Sequence, residues 1–137
     1  VITLDTSAVF ALLNRLDPDH GATVAELQSD SGPFLLPSAI MAEVAYLVES
    51  RLGHAAMDAL LGDLETGAFS LDCGHDDLPR IRALAKRYED LPLGFTDAAV
   101  IACAERNGGR VLTLDTRDFD IVAREGTIDP RPAAGAR

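Results

Sequence analysis

The sequence predicts a three-layer α/β sandwich with a mainly parallel sheet of about five strands. Three observations predict it. Short apolar runs alternate with longer segments of helical periodicity along the chain. The first run, Val1 to Leu4, is β-branched at three of its four positions, as in a strand buried on both faces. The length, 137 residues, is that of one ordinary domain and supports a core without disulfides or a structural metal.

The elements follow in order. Asp5 ends the first strand, and Thr6 and Ser7 are candidate caps for a helix over Ala8 to Asn14. Asp17-Pro18-Asp19 starts a second helix reaching Gln28. Ser29 to Pro33 reads as loop and Phe34 to Leu36 as a second strand. Pro37-Ser38 opens a long helix to Leu52, Gly53 punctuates it, and a further helix runs to Thr66. Ala68 to Leu71 is a third strand, and His75 to Tyr88 a helix carrying Leu78, Ile81 and Leu84. After a loop from Glu89 to Gly94, Thr96 to Asn107 forms a helix stopped by Gly108-Gly109. Val111 to Leu114 is a fourth buried strand, and Thr127 to Asp129 a short fifth. The domain therefore spans 1–129. From Pro130 the tail PRPAAGAR lacks apolar periodicity and is expected to be disordered.

Composition narrows the function classes. The chain is 47% hydrophobic and 25% charged, near the globular average. No apolar run approaches the roughly 20 residues that span a bilayer. The formal net charge is −10, from 22 acids against 12 bases. That argues against a protein that coats nucleic acid. It leaves room for a nuclease whose carboxylates recruit a cation. All the bases but Lys86 are Arg, the side chain suited to bidentate phosphate contacts. Cys73 and Cys103 form no metal-ligand spacing and read as reduced core thiols. The N-terminal VITLDTSAVF has no basic region and is interrupted by Asp5, unlike a signal peptide. The cytoplasm is the default location.

The informative residues are acids. In an open parallel sheet, ligands bind beyond the carboxyl ends of the strands. Asp5 and Asp115 each follow an apolar strand, within a repeated string: Thr3-Leu4-Asp5-Thr6 and Thr113-Leu114-Asp115-Thr116. Asp97 lies in the first turn of its helix, where a carboxylate suits the dipole. It also shares an i, i+3, i+4, i+7 stripe with Val100, Ile101 and Ala104, so it faces inward. Glu43 lies roughly 60° from Ile40 at about 100° per residue, on the edge of the face made with Val44 and Leu47. A helix cap or a solvated edge accounts for any one of these acids. Four acids from distant segments, each at a strand end or on an inward stripe, form a cluster. Clustered like charges need a cation to cancel them. Mg²⁺ or Mn²⁺ suits hard oxygen ligands, and a carboxylate-held cation polarises phosphoryl oxygens. Phosphodiester hydrolysis is the chemistry that fits best.

The ordered segments LDTSA (4–8), PSAIMAEVAYL (37–47), LPLGFTDAAVIACAERNGG (91–109) and VLTLDTRDF (111–119) resemble the PIN-domain family. Within it, they resemble the VapC ribonuclease toxins of toxin–antitoxin pairs. The resemblance implies a Mg²⁺- or Mn²⁺-dependent endoribonuclease on a Rossmann-like sheet of about five parallel strands. It makes Asp5 the first acid and a direct metal ligand, and Glu43 a water-mediated ligand or an orienter of the nucleophile. Asp97 is then the third acid, and Asp115 closes the ring. Thr6, Ser7 and Thr113 match hydroxyl positions that bond to metal-bound water or to neighbouring acids, and Asp118 is a secondary candidate. The resemblance further implies an RNA substrate, a homodimer, and a cognate antitoxin whose C-terminal segment crosses the acidic groove.

Other readings fare worse. A haloacid-dehalogenase phosphatase needs an acid two residues after Asp5, where Ser7 stands. A response-regulator receiver lacks its clustered early acids and late Lys. No GxxxxGK is present for a P-loop. His20, His54 and His75 lack zinc-ligand spacing. A PIN nuclease of RNA maturation and a catalytically silent PIN binding subunit remain as alternatives.

Overall fold

Five short parallel strands organise the chain: β1 (Ile2–Leu4), β2 (Phe34–Pro37), β3 (Ser70–Asp72), β4 (Arg110–Leu112) and β5 (Asp129–Arg131). They lie in the order β3-β2-β1-β4-β5. This is a computed structural model, and it describes residues 1–132. The central strand β1 is entirely buried, as its apolar and β-branched residues require. Seven helices connect the strands: α1 (Thr6–Leu13), α2 (His20–Gln28), α3 (Met41–Arg51), α4 (His54–Thr66), α5 (Leu78–Arg87), α6 (Phe95–Arg106) and α7 (Thr116–Ala123). The α/β sandwich with a parallel sheet is thus the observed fold.

The strand order has a functional consequence. From β1 the chain steps outward to β2 and β3, then returns past β1 to β4 and β5. Right-handed crossovers put α1 to α4 on one face and α5 to α7 on the other. The order reverses between β1 and β4, and the crevice beyond their carboxyl ends is the natural ligand site of such a sheet. Helix α6 packs over β1, β2 and β4. Every residue from Ala98 to Ala104 is buried, the pattern of a helix enclosed by core. Its four alanines let the backbone sit close to the sheet. Gly109, at φ +89°, closes the turn into β4; a side chain there would meet the Thr127 carbonyl oxygen at 2.9 Å.

Several boundaries differ from the sequence reading, each for a local reason. Asp5, not Thr6 or Ser7, caps α1. Pro37 ends β2, and Ser38–Ile40 form a 3₁₀ turn before α3. Strand β4 stops at Leu112, because the Thr113 side chain turns into hydrogen bonds with Asp5 and Asp115. Helix α7 lies in a charged string to which the sequence reading assigns no element; fully buried Phe119 and Val122, three residues apart, hold it to the core. Strand β5 runs to Arg131, so the predicted tail begins too early. Pro130 is tolerated there because β5 is an edge strand, paired only with β4. The rest of that tail, 133–137, lies outside the described residues. Cys103 is buried as expected, whereas Cys73 is exposed beyond the end of β3. Among the described residues no helix is long and apolar enough to cross a membrane.

Phe119 is the largest fully buried side chain among the described residues, and it belongs to the helix that follows Asp115 and carries Asp118 in its first turn. Phe119→Ala is expected to lose about 3–5 kcal/mol of stability in urea unfolding. It should also raise proteolysis between β4 and β5.

Candidate active site

The β1–β4 register sets the site. Thr3 pairs with Val111 and Leu4 with Leu112, which brings Asp5 level with Thr113. The repeated TLDT strings are therefore offset in the sheet by two residues. What they share is a cap position: Asp5 precedes α1 and Asp115 precedes α7.

Asp5 is buried and held by three donors. Ser7 Oγ donates to Oδ1 at 2.7 Å, Ala8 N–H to Oδ1 at 2.9 Å, and Thr113 Oγ1 to Oδ2 at 2.5 Å. Each hydroxyl also accepts a backbone bond from the loop after β4: Ser7 from Leu114 N–H and Thr113 from Asp115 N–H, both at 3.0 Å. Their protons are thereby aimed at Asp5. Burial pushes the Asp5 pKa above the ordinary carboxylate value, and the three donors oppose that rise. Thr6 is different: its Oγ1 is buried and has no hydrogen-bond partner among the described residues, and its residue lines the cleft.

Asp97 sits in the first turn of α6, half-buried. Its pKa is pushed up to about 6, first by burial, then by the charges of Asp115, Asp5, Asp118 and Glu43. Asp115 caps the position before α7 without bonding its own helix, so its carboxylate is available to the cleft. Loss of water and the neighbouring Asp118 raise its pKa, and exposed Arg117 opposes the rise. One carboxylate oxygen each from Asp97, Asp115 and Asp118 lies within 4.8 Å of the other two. Glu43 is exposed in the first turn of α3 and faces the cleft from the opposite side. The cleft encloses about 230 Å³ and is lined by Asp5, Thr6, Ser7, Glu43, Asp97 and Asp115, with Ile40, Leu47 and Val100 among its apolar walls.

The structure thus brings all four acids singled out in the sequence to one cleft. It groups them differently than expected. Asp118, a secondary candidate, joins Asp97 and Asp115 in the tightest trio, whereas the Asp5 oxygens are engaged by protein donors. The signal was present: Asp115 and Asp118 are three apart, which in a helix puts them on one side. It was lost because α7 itself was not predicted. The donor set, hard carboxylate oxygens gathered within reach of one another, fits Mg²⁺ or Mn²⁺.

Residues 2–125 match the model of the PIN domain. The chain belongs to the PIN-domain family. Among PIN proteins it is 33% identical over 136 residues to ribonuclease VapC26 of Mycobacterium tuberculosis (strain ATCC 25618 / H37Rv), covering 98% of this chain and 95% of that protein. Its fold is similar to the crystal structure of M. tuberculosis VapC20, a toxin described as cleaving the sarcin–ricin loop. The TM-score is 0.76 at 21% identity, over 88% of this chain and 95% of that one.

The raised pKa of Asp97 has a definite sign in a metal-free PIN cleft. Its folded-state value lies above its unfolded one, so the charge destabilises the fold at neutral pH. That penalty disappears as pH falls from about 6 through the ordinary carboxylate range. Asp97→Asn in EDTA is expected to be more stable than the wild type at pH 7, by on the order of 1 kcal/mol after solvent screening. The difference should vanish near pH 4, as read by thermal melts across pH.

Proposed function

We propose that the protein is a VapC-type toxin: a Mg²⁺- or Mn²⁺-dependent endoribonuclease of the cytoplasm, neutralised by a cognate antitoxin. The observation that carries this reading is the meeting of Asp5, Glu43, Asp97, Asp115 and Asp118, from four separate segments, at the strand-order reversal of a PIN fold. The near full-length similarity to ribonuclease VapC26 supports RNA as substrate. Burial first, and then the charges of the neighbouring acids, raise the Asp97 pKa, the environment that a bound cation would relieve.

Asp97, Asp115 and Asp118 would hold the cation, with Asp5 closing the acidic ring and the Thr6 hydroxyl beside it. When bound, the cation supplies charge neutralisation at the phosphoryl oxygen and lowers the pKa of the attacking water. The chain's own residues do the rest. Ser7 and Thr113 lock the Asp5 carboxylate in place through their two-ended hydrogen bonds. Glu43, solvated at the cleft's edge, accepts the proton from the attacking water. Arg117, exposed in the first turn of α7, offers a cation to the RNA backbone beside an otherwise acidic cleft.

The charge balance suits the partner as well. A surface of net charge −10 steers a basic antitoxin segment toward the cleft faster than it steers RNA. Exposed Tyr46 on α3 and Leu61 on α4 are side chains that a second copy of the chain would cover in a homodimer.

Induced expression of wild type and Asp97→Asn at matched protein level, with RNA ends sequenced at arrest, tests the reading. Arrest with new RNA ends for the wild type alone is the expected result, with cleavage by purified protein lost in EDTA and restored by Mg²⁺ or Mn²⁺. Arrest by both proteins would show toxicity through binding and overturn the catalytic reading.

A further inference from the structure

A second cavity opens on the same edge of the sheet, separated from the acidic cleft by one wall. The wall is the 3₁₀ turn Ser38–Ile40 packed against α6. Ser38, Ala39, Phe95 and Ala99 line the cavity, while Ile40, Thr96, Asp97 and Val100 line the cleft. Phe95 and Asp97 therefore face adjacent spaces from a single helical turn. The cavity encloses about 330 Å³. That is the small end of ligand sites. Pro37, Leu78, Ile81 and Ala99 make its walls apolar. Phe95 is 56% exposed and Leu78 61% exposed, so a large aromatic side chain that lines the cavity is also open to solvent.

The carboxylates in the lining are already occupied. Arg106 donates from Nε and Nη2 to Asp77 at 2.6 and 2.9 Å, and from Nη2 to Asp72 at 2.5 Å. The cavity thus lacks the crowd of unpaired acids that marks the neighbouring cleft. It suits a flat, uncharged, heteroaromatic group more than a phosphate.

We propose that this cavity is a nucleobase subsite. It receives one unpaired base of the RNA strand whose phosphate occupies the acidic cleft, with the Phe95 ring as its stacking surface. The proposal rests on the ribonuclease reading. Single-stranded RNA is recognised by splaying bases onto aromatic side chains, and stacking tolerates any base because each has a π-face. The shared wall places such a platform next to the acids. It would let a strongly acidic protein hold RNA through an uncharged group.

The test is a titration of ¹⁵N-labelled protein with the four nucleoside 5′-monophosphates in Mg²⁺, comparing wild type, Phe95→Ala and Phe95→Tyr. Phe95 is exposed, so the amide spectrum also reports that each variant folds. Shifts at Gly74, Phe95 and Ala99 are expected. Affinity should fall about tenfold in Phe95→Ala and be kept in Phe95→Tyr. In RNA cleavage, Phe95→Ala should raise KM by a similar factor with kcat nearly unchanged. No shift at the cavity with any nucleotide, shifts confined to the acidic cleft, or an unchanged response in Phe95→Ala would overturn the proposal and leave a protein segment as the occupant. The titration needs no turnover, so failure of the wild type to cleave RNA would count against the ribonuclease reading and not against the subsite.

Discussion

Carboxylates brought together away from bulk water repel one another and lose hydration, and a fold that does so must supply donors or a cation. The structure supplies the donors at one point, Asp5. Two hydroxyls and one amide bond its oxygens, and the same hydroxyls accept amides from the loop after β4. This small network ties the end of β1 to the end of β4, the two strands at which the sheet changes direction. Among the described residues the other acids of the cleft have no comparable protein donors. Asp97 and Asp115 have raised pKa values, as Asp5 does despite its donors. The imbalance is what a cation would resolve.

Packing holds the unbalanced acids in place. Asp97 is carried by α6, whose buried run from Ala98 to Ala104 fixes its first turn against the sheet. Asp115 and Asp118 are carried by α7, anchored by Phe119 and Val122. The chain just past α7 is tied down by a polar cluster. Arg80 on α5 bonds Glu105 on α6 twice at 2.8 Å and Glu125 at 3.1 Å, and the Tyr88 hydroxyl donates to Glu125. Core and surface network together leave the acids no cheap way to separate. Stability is given up locally to keep a charged cleft, as functional sites commonly require.

Much of this was legible in the sequence. Periodicity and the spacing of apolar runs identified the parallel α/β sheet, and strand ends with inward stripes identified Asp5, Glu43, Asp97 and Asp115. The losses have physical causes. Helix α7 is short and shows only two fully inward side chains, so periodicity assigns it no element and Asp118 stands in the sequence reading only as a secondary candidate. The offset of the TLDT strings depends on the β1–β4 register, which no local pattern encodes. The separate roles of Thr6, Ser7 and Thr113 depend on which hydroxyl meets which carboxylate, a matter of tertiary geometry. Pro130 in a strand contradicts a local rule that an edge position relaxes.

The central claim is that the acids at the β1–β4 reversal form one divalent-cation site. Crystals of the protein soaked in Mn²⁺, with anomalous density collected, test it most directly. The expected result is an anomalous peak among the carboxylates of Asp97, Asp115 and Asp118 that disappears in Asp115→Asn/Asp118→Asn. Density absent from the cleft at saturating Mn²⁺, or found only at other acids, would contradict it.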